Sequence, residues 1–328
     1  MKLTCRMTLG LLVVMLVAAS AAGAQTPSTD KLLVVVNRAP ATASIFKVDG
    51  ASLTLLKNVP IGKTAREVCL SPDGRRAYVS NGEDNTISVI DLDTLAVVAT
   101  IADPNIAGPD GGVVSPDGKK LYVVGAKNDS VVVISTATNK VMTRIPIPLK
   151  VPRRVVFSPD GGKIYVGCNQ TPVIGVIDPK TDTFLRTFPV GNETRGGIAF
   201  TPDGKTLLAG AVEDDTMYYV DVATEKITRI QGVALSPQRI IVNPNGATFV
   251  LARIDGAVMV IGDLFKHDKS KRVPVGAAPW GMAVSDDGKF LYVSSNNDNN
   301  ITVIDTGTGA VLKTIPVEKD PNGIAFRK

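Results

Sequence analysis

One short turn motif returns along this chain at a nearly fixed interval, and that interval limits what the chain can fold into. The motif is Ser71-Pro72-Asp73-Gly74, followed by Ser115-Pro116-Asp117-Gly118, Ser158-Pro159-Asp160-Gly161 and Thr201-Pro202-Asp203-Gly204. Two weaker copies continue it, Asn243-Pro244-Asn245-Gly246 and Ser285-Asp286-Asp287-Gly288. Successive copies lie 44, 43, 43, 42 and 42 residues apart. A period of this length marks a repeat architecture, in which each unit buries its apolar faces against its neighbours. The motif itself is turn chemistry. Proline fixes φ, Asp or Asn accepts local backbone hydrogen bonds, and Gly takes the left-handed conformation.

Between turns the pattern is short β-strands. Val68-Cys69-Leu70 precedes the first turn and Ala77-Tyr78-Val79 follows it. After a polar cluster come a third run, Ile87 to Ile90, a second turn and a fourth run, Ala96 to Ile101. Four strands joined by tight turns in about 43 residues make one antiparallel propeller blade. Runs just before the motif number seven, and so do runs just after it, but the two series are out of phase. The chain's first run, Leu32 to Val36, is of the second kind, and its last, Gly323 to Phe326, is of the innermost kind. The expected fold is therefore an all-β, seven-bladed propeller closed by the C-terminal strand pairing into the N-terminal blade, which removes exposed sheet edges.

The first 24 residues have the pattern of a cleavable export signal. Lys2 and Arg6 form a basic start, Leu9 to Ala19 an apolar run, and Ala22-Gly23-Ala24 a small-residue cleavage site. The expected organisation is a signal peptide over 1–24 and a single propeller domain over 25–328, periplasmic or secreted and without a membrane span. Loss of Lys2 and Arg6 lowers the formal net charge from +5 to +3. That mild excess, with both signs dispersed, does not point to nucleic acid. Cys69 and Cys168 fall in apolar strand patterns two blades apart and are expected as buried, unpaired thiols.

Tyr78-Val79-Ser80-Asn81 and Tyr292-Val293-Ser294-Ser295, each after its turn, resemble the signature of YVTN-repeat β-propellers. Ser88-Val89-Ile90-Asp91 and Thr302-Val303-Ile304-Asp305 resemble the strand that follows it. The likeness covers essentially the whole chain after residue 24 and is specific for the fold. It implies kinship with surface and periplasmic binding proteins, and a fold shared with lactonases and with propeller subunits of periplasmic redox complexes. Such a fold hosts many functions, so the function must come from the site.

In a propeller, the loops leading into the innermost strands surround the mouth of the central channel, where ligands collect. Alignment on the turns places Arg66, Asp110, Arg153, Gly196, Gln238, Trp280 and Asn322 at one equivalent position. The next position holds Glu67, Gly111, Arg154, Gly197, Arg239, Gly281 and Gly323, and Arg195 precedes the first ring by one. Five arginines (Arg66, Arg153, Arg154, Arg195, Arg239) thus face two carboxylates, Glu67 and Asp110, beside the sole tryptophan. One reading is a pocket for an anionic small molecule or a partner protein, with guanidinium forks for carboxylate or phosphate and Trp280 as a stacking wall. The other is that the arginines pair with carboxylates of neighbouring blades. The remaining loops of this face are rich in Asp and Asn (Glu83 to Asn85, Asn128-Asp129, Glu213 to Asp215, Asp255, Asn297 to Asn300) and read as ordinary hairpin chemistry.

No catalytic set assembles. His267 stands alone in an irregular insertion, which excludes a histidine metal cluster. Gly62-Lys63-Thr64 ends like a phosphate loop, but Lys57 occupies the position that needs glycine. No Cys-x-x-Cys-His is present, and Trp280 alone is too little for a nucleic-acid stacking platform. The expectation is a monomeric binding propeller without cofactor. A lactonase-like hydrolase using the same pocket and a subunit of a periplasmic redox complex are the alternatives.

Overall fold

In the computed structural model, residues 30–190, 197–213, 215–252, 256–261 and 271–327 are described. The expected signal peptide, Arg195, Gly196, Asp214, Asp255 and His267 lie outside them. The described residues form 28 strands arranged as seven four-stranded antiparallel sheets, with no helix among them. The innermost strands are β4 (Ala65–Leu70), β8 (Pro109–Val114), β12 (Pro152–Phe157), β16 (Ile198–Phe200), β20 (Pro237–Val242), β24 (Pro279–Val284) and β28 (Pro321–Arg327). Each contacts the next, and β28 contacts β4, so the ring is complete.

The closure is the one the phase of the strand series predicts. In the first blade the order is β28, then β1 (Leu32–Asn37), β2 (Thr42–Asp49) and β3 (Ser52–Pro60). Leu33 pairs with Phe326, Val34 with Ala325 and Val35 with Ile324. The uninterrupted apolar run of β1 follows from its place between two blades. Leu32, Val34 and Val36 pack toward the second blade with Ala65, Val68 and Val79, while Leu33 and Val35 pack toward the seventh with Tyr292 and Val303. Both faces are buried, so strict polar alternation is lost.

The recurring motif forms the same turn each time. In the first copy the Ser71 hydroxyl donates to Asp73 (2.5 Å) and accepts from the Arg76 amide (2.9 Å), and the Asp73 carboxylate accepts from the Arg75 amide (3.0 Å). Gly74, at φ +69°, closes the turn onto the Ser71 carbonyl (2.9 Å). Ser115, Ser158, Thr201 and Ser285 repeat the hydroxyl-to-aspartate bond.

The Asx-rich loops of the mouth face tie four of the blades to the next. Asn85, Asp129, Asp215 and Asn299, all in the left-handed region, accept backbone amides from Gly108, Val151, Ser236 and Asp320, 21 to 23 residues on. Those four acceptor loops hold the segments that lead into β8, β12, β20 and β28. Thus the hairpin chemistry expected of these residues also fixes where the next innermost strand begins. Cys69 and Cys168 are not joined in a disulfide; Cys168 is buried as expected, whereas Cys69 is only half-buried.

Candidate functional site

The side chains at the mouth are aimed by a bulge that recurs from blade to blade. In β12, Pro152 pairs with Cys168 and Arg154 with Gly167, so Arg153 is the extra residue. Gln238 in β20 and Trp280 in β24 are extra in the same way, and the ladder shifts likewise in β4 between Ala65 and Val68 and in β8 between Pro109 and Gly112. The residue just before each of these strands (Thr64, Gly108, Val151, Ser236, Ala278) has φ between +52° and +56°. A bulge turns the strand and re-aims its side chains. Here it lets two consecutive residues per strand face the channel, which simple alternation would forbid.

The result is a cluster built from five blades. Asp110 sits between its two neighbours and accepts from Arg153 at 2.6 Å and from Arg66 at 3.3 Å. Glu67 reaches farther. It accepts from Arg154 at 3.3 Å, from the Trp280 indole at 3.4 Å, and from Arg239, which pairs with it from across the channel. Every described arginine of the predicted cluster is therefore in an ion pair, and each carboxylate serves two guanidiniums. For Arg66 and Arg153 this is the pairing with a neighbouring blade's carboxylate that the sequence left open as the second reading. Among the described residues four arginines face two carboxylates, a formal excess of two.

Glu67, Asp110 and Arg239 are each less than a tenth exposed, whereas the Arg66, Arg153 and Arg154 side chains keep 27–36% of their surface. Burial works against ionisation of Glu67, but attraction from Arg239 and Arg154 and the hydrogen bonds from Arg239 and Trp280 outweigh it and hold the carboxyl below its usual range. Asp110 goes the other way. Burial, and then the Glu67 charge, push its carboxyl up despite Arg153 and Arg66. Burial and the nearby Arg239 charge bring Arg154 down to about 10. Two carboxyls 43 residues apart in sequence are thus driven in opposite directions by one cluster.

These residues line a cavity of about 190 Å³ open to the mouth, together with Gln238 and Asn169. The carbonyl oxygens of both amides and the Arg66 Nε are buried with no hydrogen-bond partner among the described residues. Asn322, aligned with the first ring, does not line this cavity; it is 2% exposed, and its backbone carbonyl accepts from Ser294 at 2.6 Å. Asn169 is the residue that the sequence reading missed. It follows Cys168 in the loop beyond the second strand of its blade, on the same face as the mouth, and that placement was the available signal.

Directly beneath lies a second cavity of about 10 Å³ between β4 and β8, lined by Glu67, Cys69, Ser80 and Asp110 among others. It is large enough for one water at most.

The fold and the site define a seven-bladed β-propeller with an ion-paired arginine cluster at its mouth. Residues 17–161 match the model of the YNCE-like beta-propeller family, which agrees with the YVTN-repeat resemblance. No curated protein matches the chain. Among solved structures it is similar to hydrazine synthase from Kuenenia stuttgartiensis, at 22% identity over 80% of this chain and 89% of that one, with a TM-score of 0.70. It is also similar to a protein from Bacteroides fragilis provisionally assigned as a 6-phosphogluconolactonase, at 18% identity over 92% and 100% of the two chains, with a TM-score of 0.75. A third is the dihydro-heme d1 dehydrogenase NirN, at 16% identity over 91% and 75%, with a TM-score of 0.68. At these identities the likeness is one of fold, and the neighbours differ in function.

Proposed function

We propose that this is an exported binding propeller that takes a small anion at its central mouth. The observation that carries the reading is the sharing of two carboxylates by four guanidiniums around a concave, half-buried cavity. Like charges converging there repel more strongly than they would in bulk water, and a bound anion relieves what the carboxylates leave. The exposed flanks of Arg66, Arg153 and Arg154 are the parts free to meet it. A small molecule suits this mouth better than a partner protein, because the charge lies inside a recess and not on a protruding surface.

A lactonase-like or metal-assisted activity is less well supported. Glu67 and Asp110 are each held between two arginines, so neither carboxylate is open to a cation, and the surrounding positive charge opposes one. The export part of the proposal rests on the basic, apolar and small-residue succession over 1–24.

The test is stabilisation by ligand. A ligand at about a hundred times its Kd adds about 2.7 kcal/mol to folding stability. Small mono- and dianions at constant ionic strength should raise the melting temperature of the wild type. Arg153→Gln should lose that response, and Arg76→Gln, which removes an arginine paired with Asp91 away from this cavity, should keep it. An equal response in all three proteins would end the reading.

A further inference from the structure

Resting on that anion-binding reading, we infer that the mouth is built for a short dicarboxylate of about four carbons. The cations come in two sets rather than one. Arg66 and Arg153 are gathered by Asp110, and Arg154 and Arg239 by Glu67. A single tetrahedral anion would engage one set and leave the other. Two planar carboxylates, one at each end of a short chain, meet both, and the guanidinium fork matches a carboxylate edge with two parallel hydrogen bonds. The formal excess of two positive charges among the described residues matches the charge of such a ligand.

Size narrows the class. An apolar cavity of about 150 Å³ holds benzene, with six heavy atoms. On that scale the roughly 190 Å³ here accommodates about seven or eight, the size of a four-carbon dicarboxylate. A nucleotide or a sugar phosphate would project well beyond the recess.

The Trp280 ring also lines the cavity and offers an apolar surface to the ligand's carbon chain.

The experiment is calorimetric titration of the full chain at pH 7 and fixed ionic strength with succinate, acetate and inorganic phosphate. Succinate should bind at least about tenfold more tightly than acetate or phosphate, the scale of one charge-assisted hydrogen bond. In Arg153→Gln and in Arg154→Gln, one from each set, the succinate affinity should fall toward that of acetate. Acetate or phosphate binding as tightly as succinate overturns the dicarboxylate assignment and leaves an anion pocket standing. Failure of all three anions to bind overturns the anion reading as well.

Discussion

Glu67 and Arg239 are 172 residues apart in sequence and meet as carboxylate and guanidinium across the central channel. They belong to the second and sixth blades, three blades apart by the shorter way round the ring, so no local feature of the chain could bring them together. Only the closure of seven sheets does so. Around this pair the inner ring is economical. At the position that holds Glu67, Arg154 and Arg239 in three blades, the other four carry glycine. Three long side chains fill the channel where four others are absent.

Glu67 is consequently expected to be structural as well as functional. Glu67→Gln removes the charge that Arg239 and Arg154 share and leaves buried guanidiniums without a counter-ion. A loss of about 3–5 kcal/mol follows when a buried pair is broken on one side. The pH dependence has a definite sign. Because the folded state depresses the Glu67 carboxyl below its ordinary value of 4.5, its contribution is fully present above about pH 4.5 and is lost as pH falls through the lower folded value. Asp110, raised from 3.8, contributes in the opposite sense, its share being lost as pH rises through the folded value. The gap in melting temperature between wild type and Glu67→Gln should therefore shrink below pH 4.5. A gap that stays constant down to pH 3 would refute the assignment.

Ring closure depends on more than the ladder between β28 and β1. Arg327, 3% exposed, donates to the Asp30 carbonyl through Nε (3.1 Å) and Nη2 (2.9 Å), and to Asp93 (3.2 Å) and the Leu92 carbonyl (3.4 Å) through Nη1. It thus fastens the first blade to the second. Arg327→Ala should cost about 2 kcal/mol, the scale of charge-assisted hydrogen bonds, and deletion of residues 322–328 should cost far more, since it strips a strand and bares the edge of β1. Urea denaturation of the two variants measures both, and a truncated protein with wild-type stability would contradict the closure.

The two thiols should be inert in the native state. Burial, and then the Glu67 charge, push the Cys69 thiol up to about 12, and burial pushes Cys168 up to about 11. Thiolate is the reactive form, so at pH 8 native protein should react with iodoacetamide about a hundredfold or more slower than urea-unfolded protein, whose thiols ionise near pH 8.5. Reductant should leave the melting temperature unchanged, because Cys69 and Cys168 are not joined in a disulfide. Rapid native labelling of Cys69 would show that the cavity beneath the mouth opens.

The fold was legible because its instructions are local and repeated. Ser71 to Gly74 encodes a turn by itself, and seven out-of-phase strand pairs encode the closure. The arginine positions were legible too, since the turns set their register. Their pairing was not. It depends on the bulge at Arg153, Gln238 and Trp280, which alignment cannot show because the extra residue is shared by the repeats being aligned. Each carboxylate, with two oxygens, serves two arginines, a sharing that a count of charges does not reveal. Asn169 passed unnoticed because an Asn in a hairpin loop ordinarily serves the turn. Its role at the mouth follows from which way the loop faces.

The glycines of the inner ring supply a last prediction that separates space from conformation. A Cβ built on Gly111 would lie 2.5 Å from the carbonyl oxygen of Arg153, and one on Gly323 would lie 2.7 Å from the Glu67 Cα. Neither glycine is in the left-handed region, so a side chain is excluded by the neighbouring strand and not by φ. Gly111→Ala must push β12 outward at the residue that carries Arg153, and the expected loss is about 1–3 kcal/mol, the usual cost of overpacking. Because the displaced strand bears two of the four described arginines, the anion response should weaken together with stability. Gly307→Ala is the control. Its nearest contact would be Asp305 Oδ1 at 3.5 Å, so it should stay within about 0.5 kcal/mol of wild type. If Gly111→Ala melts like Gly307→Ala and keeps the anion response, the inner ring is looser than this packing requires, and close approach of the strands is not what positions the arginines.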